Sequence, residues 1–299
     1  MSVTVRVPAK VNVQLAVGAA RPDGFHDLAN VFLAVSLYDE VTAAPADTLK
    51  VTCTGPDADK VPLDRTNLAA RAAEVLAARS GLTPAVHLHI DKRIPVAGGM
   101  AGGSADGAAA LLACDALWGL DTPREDLLAL CAELGSDVPF SLVGGAALGT
   151  GRGEILTPVA AGAFHWVFAV ADGGLSTPAV FREFDRLTTD TGVPAPQASP
   201  ALLAALASGD PDALAATLAN DLQPAALSLR PRLADTLAAG TDAGALAALV
   251  SGSGPTTAFL VRDAESAAKV AAALDASPTC RSTHVATSPA PGATVLRAG

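Results

Sequence analysis

The sequence predicts an α+β fold, and three observations lead to that prediction. Strand-like and helix-like stretches mingle along the chain without the regular alternation of a doubly wound parallel sheet. The 299 residues are long for one hydrophobic core and sufficient for two domains. Half of the residues are hydrophobic but only 4% are aromatic, which indicates alanine-rich helices packed closely on sheets.

The first part of the chain is expected to be mostly β-strand. Patterns of apolar residues predict strands over four stretches, residues 3–7, 11–17, 31–37 and 48–53. A helix is expected to open near Asp64–Asn67 and to close at Gly81, and a further strand begins at Val86. His87 and His89 share a face of that strand, but no third metal ligand is evident, so we treat them as ordinary strand residues.

The most informative stretch follows that strand: Pro95-Val-Ala-Gly-Gly-Met-Ala-Gly-Gly-Ser-Ala-Asp, which leads into a helix-like alanine run. We call residues 95–104 the first glycine loop. Glycines let consecutive N–H groups turn toward one point, and the helix adds unpaired N–H groups and the positive end of its dipole. The pattern therefore predicts an anion site, most often for phosphate. Ser104 is expected at the N-cap position, where its hydroxyl either caps the helix or reaches a phosphate or metal ion, and Asp106 is expected to point away from the loop.

Two corners are expected after that helix. A helix from Thr122, with capping-box spacing to Glu125, is expected to end at Gly135. Pro139 is expected to prevent another helix from beginning there, so that Asp137 lies on a short, stiff corner. Such an aspartate either bonds to its own backbone or, facing a lysine, accepts a proton from a hydroxyl.

The remaining elements continue the α+β pattern. Four features are expected before the late strands: a hairpin over 144–154, a strand over 165–171, a surface loop over 188–200 and helices over 200–239. Ser251-Gly-Ser-Gly-Pro-Thr, the second glycine loop, leads into a strand from Ala258, and a final helix spans 264–274. Such a turn can approach a ligand closely.

Charge and cysteine usage narrow the class of protein. A net charge of −10 argues against a nucleic-acid partner or an anionic membrane surface. An anionic substrate would need a local basic pocket, for which the candidates are Lys10, Arg21, Lys92, Arg93 and Arg152. The four cysteines have no Cys-x-x-Cys spacing, and no secretory or transmembrane segment is evident, so we expect a soluble cytoplasmic protein.

Lys10 and Asn12 form a second polar signal. They lie two residues apart in an apolar strand and therefore share one face. The sequence leaves two interpretations open, a solvated edge strand and the polar floor of an active site.

These motifs resemble the GHMP kinase superfamily. The resemblance rests on the lysine-bearing first strand, the first glycine loop and the late Gly-Ser-Gly-Pro turn, in that order. Three further segments look like the branch that phosphorylates a cytidine-diphosphate-linked methylerythritol: Arg21-Pro-Asp-Gly-Phe-His-Asp-Leu, Leu134-Gly-Ser-Asp-Val-Pro and Gly153-Glu-Ile-Leu-Thr-Pro. The resemblance covers nearly the whole chain and implies a two-domain GHMP kinase-like fold, divided at 1–157 and 158–299, with the active site in the cleft between the domains.

The resemblance also implies residue roles. Asp137 matches the catalytic aspartate and Lys10 the lysine beside it. Residues matching the substrate side are Asn12, Phe25, His26 and Phe181, with the aromatic rings flanking cytosine and His26 recognising it. Residues matching the ATP side are Pro95, Gly98, Gly99, Gly102, Gly103 and Ser104 around the triphosphate, and Asn67 and Lys92 near the adenine.

The implied reaction is transfer of the γ-phosphoryl group of ATP, with Mg²⁺, to the 2-hydroxyl of the methylerythritol unit. The magnesium ligands are unknown; Ser104 and Asp137 are guesses. Three residues depart from the family pattern: Phe25 stands in place of tyrosine, Ala101 in place of a loop glycine, and Ala105 in place of a second serine.

Two rivals remain, a homoserine- or mevalonate-type kinase and a non-catalytic nucleotide-binding homologue. The implied partner is a small molecule, with no nucleic acid and no membrane, and a homodimer is left open.

Overall fold

The computed structural model describes residues 2–298 and confirms the α+β fold, with helices packed on two β-sheets. The strands are β1 (Val3–Ala20), β2 (His26–Pro45), β3 (Lys50–Thr54), β4 (Val86–Asp91), β5 (Ala146–Thr150), β6 (Ile155–Pro158), β7 (Phe164–Val170), β8 (Ala219–Asn220), β9 (Ala247–Val250), β10 (Thr257–Val261), β11 (Ser282–Ser288) and β12 (Thr294–Ala298). The helices are α1 (Leu68–Arg79), α2 (Gly102–Trp118), α3 (Arg124–Leu134), α4 (Val138–Val143), α5 (Thr177–Thr188), α6 (Pro200–Ser208), α7 (Pro211–Ala215), α8 (Gln223–Leu229), α9 (Arg232–Asp242) and α10 (Ala264–Asp275).

The first sheet is built around one long antiparallel pair, β1 and β2. The separate strands predicted on either side of Pro8 are in fact one strand, because the register shifts between Pro8 and Ala9. A bulge of this kind accommodates a proline, which has no N–H to give to the ladder. The strand order is β12-β1-β2-β4-β3, with β5 also paired to β2, β6 to β5 and β8 to β1.

Helix α2 is the central helix of the main core, and it begins at the first glycine loop. Its buried residues lie on nearly all sides and include Ala105, Ala108, Leu111 and Cys114. A helix that is apolar all round is a buried helix. Small alanines let it approach α1, β1 and β2 closely, so its N-terminus is held by the packed interior.

The second sheet comes from the second half of the chain, in the order β11-β7-β10-β9. Segments of this half also return to the first sheet: β8 pairs with β1 in parallel, and β12 pairs with β1 in antiparallel register. The domain boundary predicted after residue 157 falls near the end of β6 and stays a prediction.

Several elements differ from the expectation. Strands β8, β9, β11 and β12 and helix α5 were not predicted, and β8 interrupts the helices expected over 200–239. Helix α5 was missed although Val180, Phe184 and Leu187 recur at helical spacing, the pattern of an amphipathic helix. The capping box from Thr122 is wrong: α3 begins at Arg124 without a side-chain cap, and the Thr122 N–H donates to Asp115. In the described part of the chain, no helix is long and apolar enough to cross a membrane.

Candidate active site

The first glycine loop ends in an abrupt helix start. Ala101 takes a left-handed conformation with φ of 59°, which is strained for a residue that carries a Cβ. Helix α2 therefore begins at Gly102, and Ser104 lies inside its first turn. The prediction that Ser104 is the N-cap is wrong, because the chain turns at Ala101 instead. The Ser104 side chain is free of capping and lines the cleft described below.

The second glycine loop fixes the first in place. The Gly99 carbonyl accepts hydrogen bonds from Lys10 Nζ at 2.7 Å and from Ser251 Oγ at 3.1 Å. A Cβ on Gly99 would lie 2.1 Å from the Ser251 carbonyl oxygen, so the contact requires glycine. The Thr256 N–H donates to the Gly98 carbonyl at 3.2 Å. The two loops, more than 150 residues apart in sequence, thus form one unit.

Lys10 and Asn12 form a buried polar floor beneath these loops. Lys10 Nζ donates to Asn12 Oδ1 at 2.6 Å, and Asn12 Nδ2 donates to Asn30 Oδ1 at 2.6 Å. Both Lys10 and Asn12 are buried, so the alternative of a solvated strand face is wrong. Lys10 Nζ also lies 3.9 Å from Asp137 Oδ2, whose side chain is one-third exposed.

Burial and a neighbouring charge shift the pKa of Lys10 in opposite directions. Burial lowers the pKa of the Lys10 ammonium below its usual value, and the nearby Asp137 carboxylate raises it but does not fully offset the burial. The site therefore holds a lysine that loses its proton more easily than an exposed one.

Asp137 reaches the cleft from the start of a helix. Pro139 does not prevent that helix, because proline is tolerated in the first turn, where its missing N–H has no partner to lose. Asp137 occupies the N-cap position of α4, but its side chain makes no capping hydrogen bond. The carboxylate is therefore available to Lys10 and to a ligand.

These groups meet in one cleft of about 640 Å³. Sequence-predicted site residues that line it are Lys10, Asn12, Phe25, His26, Gly98, Gly99, Gly102, Gly103, Ser104, Asp137 and Phe181. Of the predicted basic candidates, Arg152 also lines the cleft, and its guanidinium lies 5.1 Å from the centre of the Phe25 ring. Helix α5 from the second half adds Thr177, Arg182 and Asp185, which the sequence analysis missed together with the helix. The Ser176-Thr-Pro stretch before it is a helix-start pattern that could have indicated them.

Three predicted ATP-binding residues are not in the cleft lining. Asn67 caps α1 by accepting from the Ala69 N–H at 2.8 Å, and its Nδ2 donates to the Pro62 carbonyl. Pro95 is buried at the start of the first glycine loop. The geometry gives Asn67 and Pro95 structural positions, and their contact with ATP stays a prediction.

Lys92 is the third predicted ATP-binding residue outside the cleft lining, and two carboxylates hold it inside the protein. Its Nζ lies 2.7 Å from Asp39 Oδ2 and 2.6 Å from Asp106 Oδ2. Asp39 also accepts from the N–H groups of Arg93 and Ile94, so it ties down the strand end. Burial raises the pKa of Asp106 well above its usual value. Asp106 thus points to Lys92 in the interior and lies outside the cleft lining, in line with the expectation that it would avoid a phosphate.

The aromatic side of the cleft is built around His26. The His26 ring packs against Phe181 in a tilted arrangement, with 4.9 Å between ring centres and 34° between the ring planes. Its Nε2 lies 2.8 Å from Asp185 Oδ1. Phe25 next to it is half exposed, which leaves an aromatic face open to a ligand.

The comparisons with known proteins agree with this geometry. Residues 67–145 match the N-terminal domain of the GHMP kinases, and residues 202–278 match the C-terminal domain. The chain therefore belongs to the GHMP kinase family, as the motifs indicated. A 4-diphosphocytidyl-2-C-methyl-D-erythritol kinase of Streptomyces avermitilis is 76% identical over 297 residues, which cover 99% of this chain and 100% of that protein.

Solved structures give the same family. A crystal structure of 4-(cytidine 5'-diphospho)-2C-methyl-D-erythritol kinase has a TM-score of 0.77 and 32% identity, and the match covers 96% of this chain and 99% of that one. Homoserine kinase from Cytophaga hutchinsonii has a TM-score of 0.74 at 22% identity, covering 99% of this chain and 97% of that one. At that identity the second match shows a shared fold.

Proposed function

We propose that this protein is an ATP-dependent kinase that phosphorylates the 2-hydroxyl of 4-diphosphocytidyl-2-C-methyl-D-erythritol in the non-mevalonate route to isoprenoid precursors. The observation that carries the phosphotransfer chemistry is the pair of Lys10 and Asp137, 3.9 Å apart under the first glycine loop. The choice of substrate is supported by the relative that shares 76% identity over the full chain.

Asp137 and Lys10 have different roles at the substrate hydroxyl. Asp137 accepts the proton of the substrate hydroxyl, and the hydroxyl oxygen forms a bond to the γ-phosphorus of ATP. The bond from that phosphorus to the oxygen that bridges it to the β-phosphate breaks, and ADP leaves. Lys10, 3.9 Å from Asp137, offsets negative charge on the transferring group. The Asn12 amide, fixed by Lys10 and Asn30, is in position to orient the substrate.

The first glycine loop supplies the site for the ATP phosphates. The start of α2 has unpaired N–H groups, and no atom from outside the adjoining helix backbone lies within 4 Å of where a Cβ on Gly103 would be. The open backbone therefore has room for phosphate oxygens.

Ser104 and Asp137 are the oxygen donors that we propose for Mg²⁺. Residues 2–298 contain no cluster of three His, Cys, Asp or Glu side chains suited to a metal. A site with few protein ligands fits magnesium, which is usually held by one or two carboxylates together with substrate phosphates. When bound, the ion supplies charge neutralisation at those phosphates.

The cytidine end of the substrate is proposed to bind against Phe25, His26 and Phe181. Aromatic faces suit stacking on a pyrimidine, and the buried His26 provides a polar edge. Arg152, which lies beside Phe25 and pairs with Glu154, is the guanidinium that we propose to reach the diphosphate. All four cysteines are free thiols, which supports the proposal that the protein acts in the reducing cytoplasm.

A substrate panel tests the proposal against its rivals. We expect ATP-dependent ADP release with 4-diphosphocytidyl-2-C-methyl-D-erythritol and little with homoserine or mevalonate. Turnover of homoserine or mevalonate in preference to the cytidine substrate would favour another GHMP kinase. ATP binding without turnover of any of the three would favour a non-catalytic nucleotide-binding protein.

A further inference from the structure

Asp185 makes a contact that the phosphotransfer chemistry does not use. It lies on α5 and places Oδ1 2.8 Å from Nε2 of His26, which lies at the start of β2. The His26 side chain is only 5% exposed, whereas that of Asp185 is 41% exposed. Asp185, from the second half of the chain, thus holds the His26 ring, which belongs to the first half.

This contact determines which ring nitrogen carries the hydrogen. An ionised carboxylate can only accept hydrogen bonds, so His26 Nε2 must be the donor. The other nitrogen, Nδ1, has no hydrogen-bond partner within residues 2–298. In the neutral ring it therefore keeps its lone pair and offers the cleft an acceptor, because the bond at one ring nitrogen sets the state of the other.

An acceptor at this position distinguishes two pyrimidines. Cytosine carries an exocyclic amino donor where uracil carries a carbonyl acceptor. A ring held as the Nε2–H form can accept from the amino group, but against the carbonyl it would set two acceptors facing each other. Sites built to pair with one polar group reject the analogue that leaves them unpaired.

We propose that Asp185 is a positioning residue that holds His26 in its Nε2–H form and so makes the cleft select cytidine over uridine nucleotides. The proposal rests on the proposed function, since it assigns the base-recognition part of that same site. Asp185 acts through His26 and need not touch the base.

The test compares Asp185→Leu with Asp27→Leu. Leucine has a similar size and cannot form the hydrogen bond. Asp27 is the matched control because it follows His26 directly, is exposed, and pairs with Arg21 and not with the ring. The probes are CDP and UDP, whose affinities are measured by calorimetry on the full chain. The tautomer of His26 is measured separately by nitrogen NMR of the wild type.

We expect the wild type and Asp27→Leu to prefer CDP, and Asp185→Leu to lose that preference by at least about tenfold, as for one lost polar pairing. ATP affinity should stay unchanged in all three. NMR should find the hydrogen on Nε2 and none on Nδ1. An unchanged CDP-to-UDP ratio in Asp185→Leu, or a protonated Nδ1, would overturn the proposal.

The design separates this inference from the proposed function. If the wild type selects CDP through Asp185 but does not phosphorylate the methylerythritol substrate, the proposed function fails and the inference stands. If the wild type binds neither CDP nor UDP, both fail. If Asp185→Leu does not fold, Asp185→Asn takes its place, because an amide can donate to Nε2 and so releases the tautomer without changing the size of the side chain.

Discussion

Lys10 connects more parts of the site than any other single side chain described above. Its ammonium contacts Asn12, the Gly99 carbonyl and Asp137, which belong to the strand floor, the first glycine loop and the start of α4. A buried charge is stable only when it is well paired. The same contacts that hold the charge also bring the first glycine loop, the polar strand floor and Asp137 together.

Replacing Asp137 tests the proposed proton acceptor. We expect Asp137→Asn to fold normally, because the side chain makes no capping bond, and to lose about 10²–10⁴ in turnover, the range for a positioned acid–base group. Turnover is measured by ADP release, and the fold by circular dichroism. A folded variant with near-normal turnover would rule out the assignment.

The lowered pKa of Lys10 predicts a pH effect. If the charged ammonium is required, turnover should fall on the basic side at a pH below the ordinary lysine range, because burial favours the neutral amine. In Lys10→Arg the residual activity should lack this basic limb, since arginine stays protonated. pH–rate profiles of both proteins decide the point, and an identical basic limb in Lys10→Arg would contradict it.

At the scale of elements, the proposed phosphate site depends on how the first glycine loop enters α2. A Cβ on Gly102 would lie 2.9 Å from Lys92 Nζ and 3.0 Å from Ile94, so a substitution there disturbs the interior as well as the ligand. Gly103, one residue later, has open space around it. It is therefore the better position at which to test ATP binding alone.

Gly103→Ala should change stability and ATP affinity in opposite directions. Alanine favours the helix over glycine by up to about 1 kcal/mol, so the melting temperature should not fall. The added methyl group lies where phosphates must approach, so ATP affinity should fall, and more so in Gly103→Val. Calorimetry and thermal melting measure the two effects. Unchanged ATP affinity in both variants would place the phosphates elsewhere.

Local patterns predicted the elements that carry their own signals. The first glycine loop, the hairpin over 144–154 and the final helix all follow from glycine turns and apolar periodicity. The two-residue spacing of Lys10 and Asn12 correctly predicted that they share a face. The segment between Gly135 and Pro139 had already indicated Asp137 as a candidate, and the family resemblance gave it a role and led to His26.

The contacts made by distant partners could not be predicted in this way. Asp185 has no motif, and its role depends on α5 packing near the start of β2. The burial of Lys92 between Asp39 and Asp106 likewise depends on three separated segments. Such pairings are set by tertiary structure, which single-sequence patterns do not encode.

At the scale of the whole molecule, an ion pair on the buried Asp57 carboxylate connects the two halves of the chain. Asp57 lies just before a short 3₁₀ helix in the first half of the chain. Its carboxylate accepts hydrogen bonds from both Nη atoms of Arg281, which directly precedes β11 of the second sheet. Lys60 Nζ also donates a hydrogen bond to the Asp57 carboxylate. Arg281 and Lys60 hold the pKa of Asp57 well below its usual range.

Removing Arg281 should destabilise the fold at neutral pH. Arg281→Ala leaves the buried Asp57 with Lys60 alone, which costs about 1–3 kcal/mol of unfolding free energy. The exposed Arg262, paired with Asp212, is the control, and Arg262→Ala should have no measurable effect. Because the folded-state pKa of Asp57 is lowered, its contribution to stability is complete above the ordinary aspartate range and is lost progressively as the pH falls from that range through the lowered folded-state pKa. Urea unfolding at neutral and acidic pH checks both points. Equal effects of the two variants at neutral pH would contradict the claim that the Arg281–Asp57 ion pair stabilises the fold.

The most direct test of the central claim is to identify the product made by the whole enzyme. The purified protein is incubated with ATP, Mg²⁺ and 4-diphosphocytidyl-2-C-methyl-D-erythritol, and the product is examined by phosphorus NMR. We predict ADP and, in equal amount, one new phosphomonoester on the 2-hydroxyl, with almost none from Asp137→Asn. ADP formed without that phosphomonoester, or phosphate on another hydroxyl, would contradict the proposed reaction.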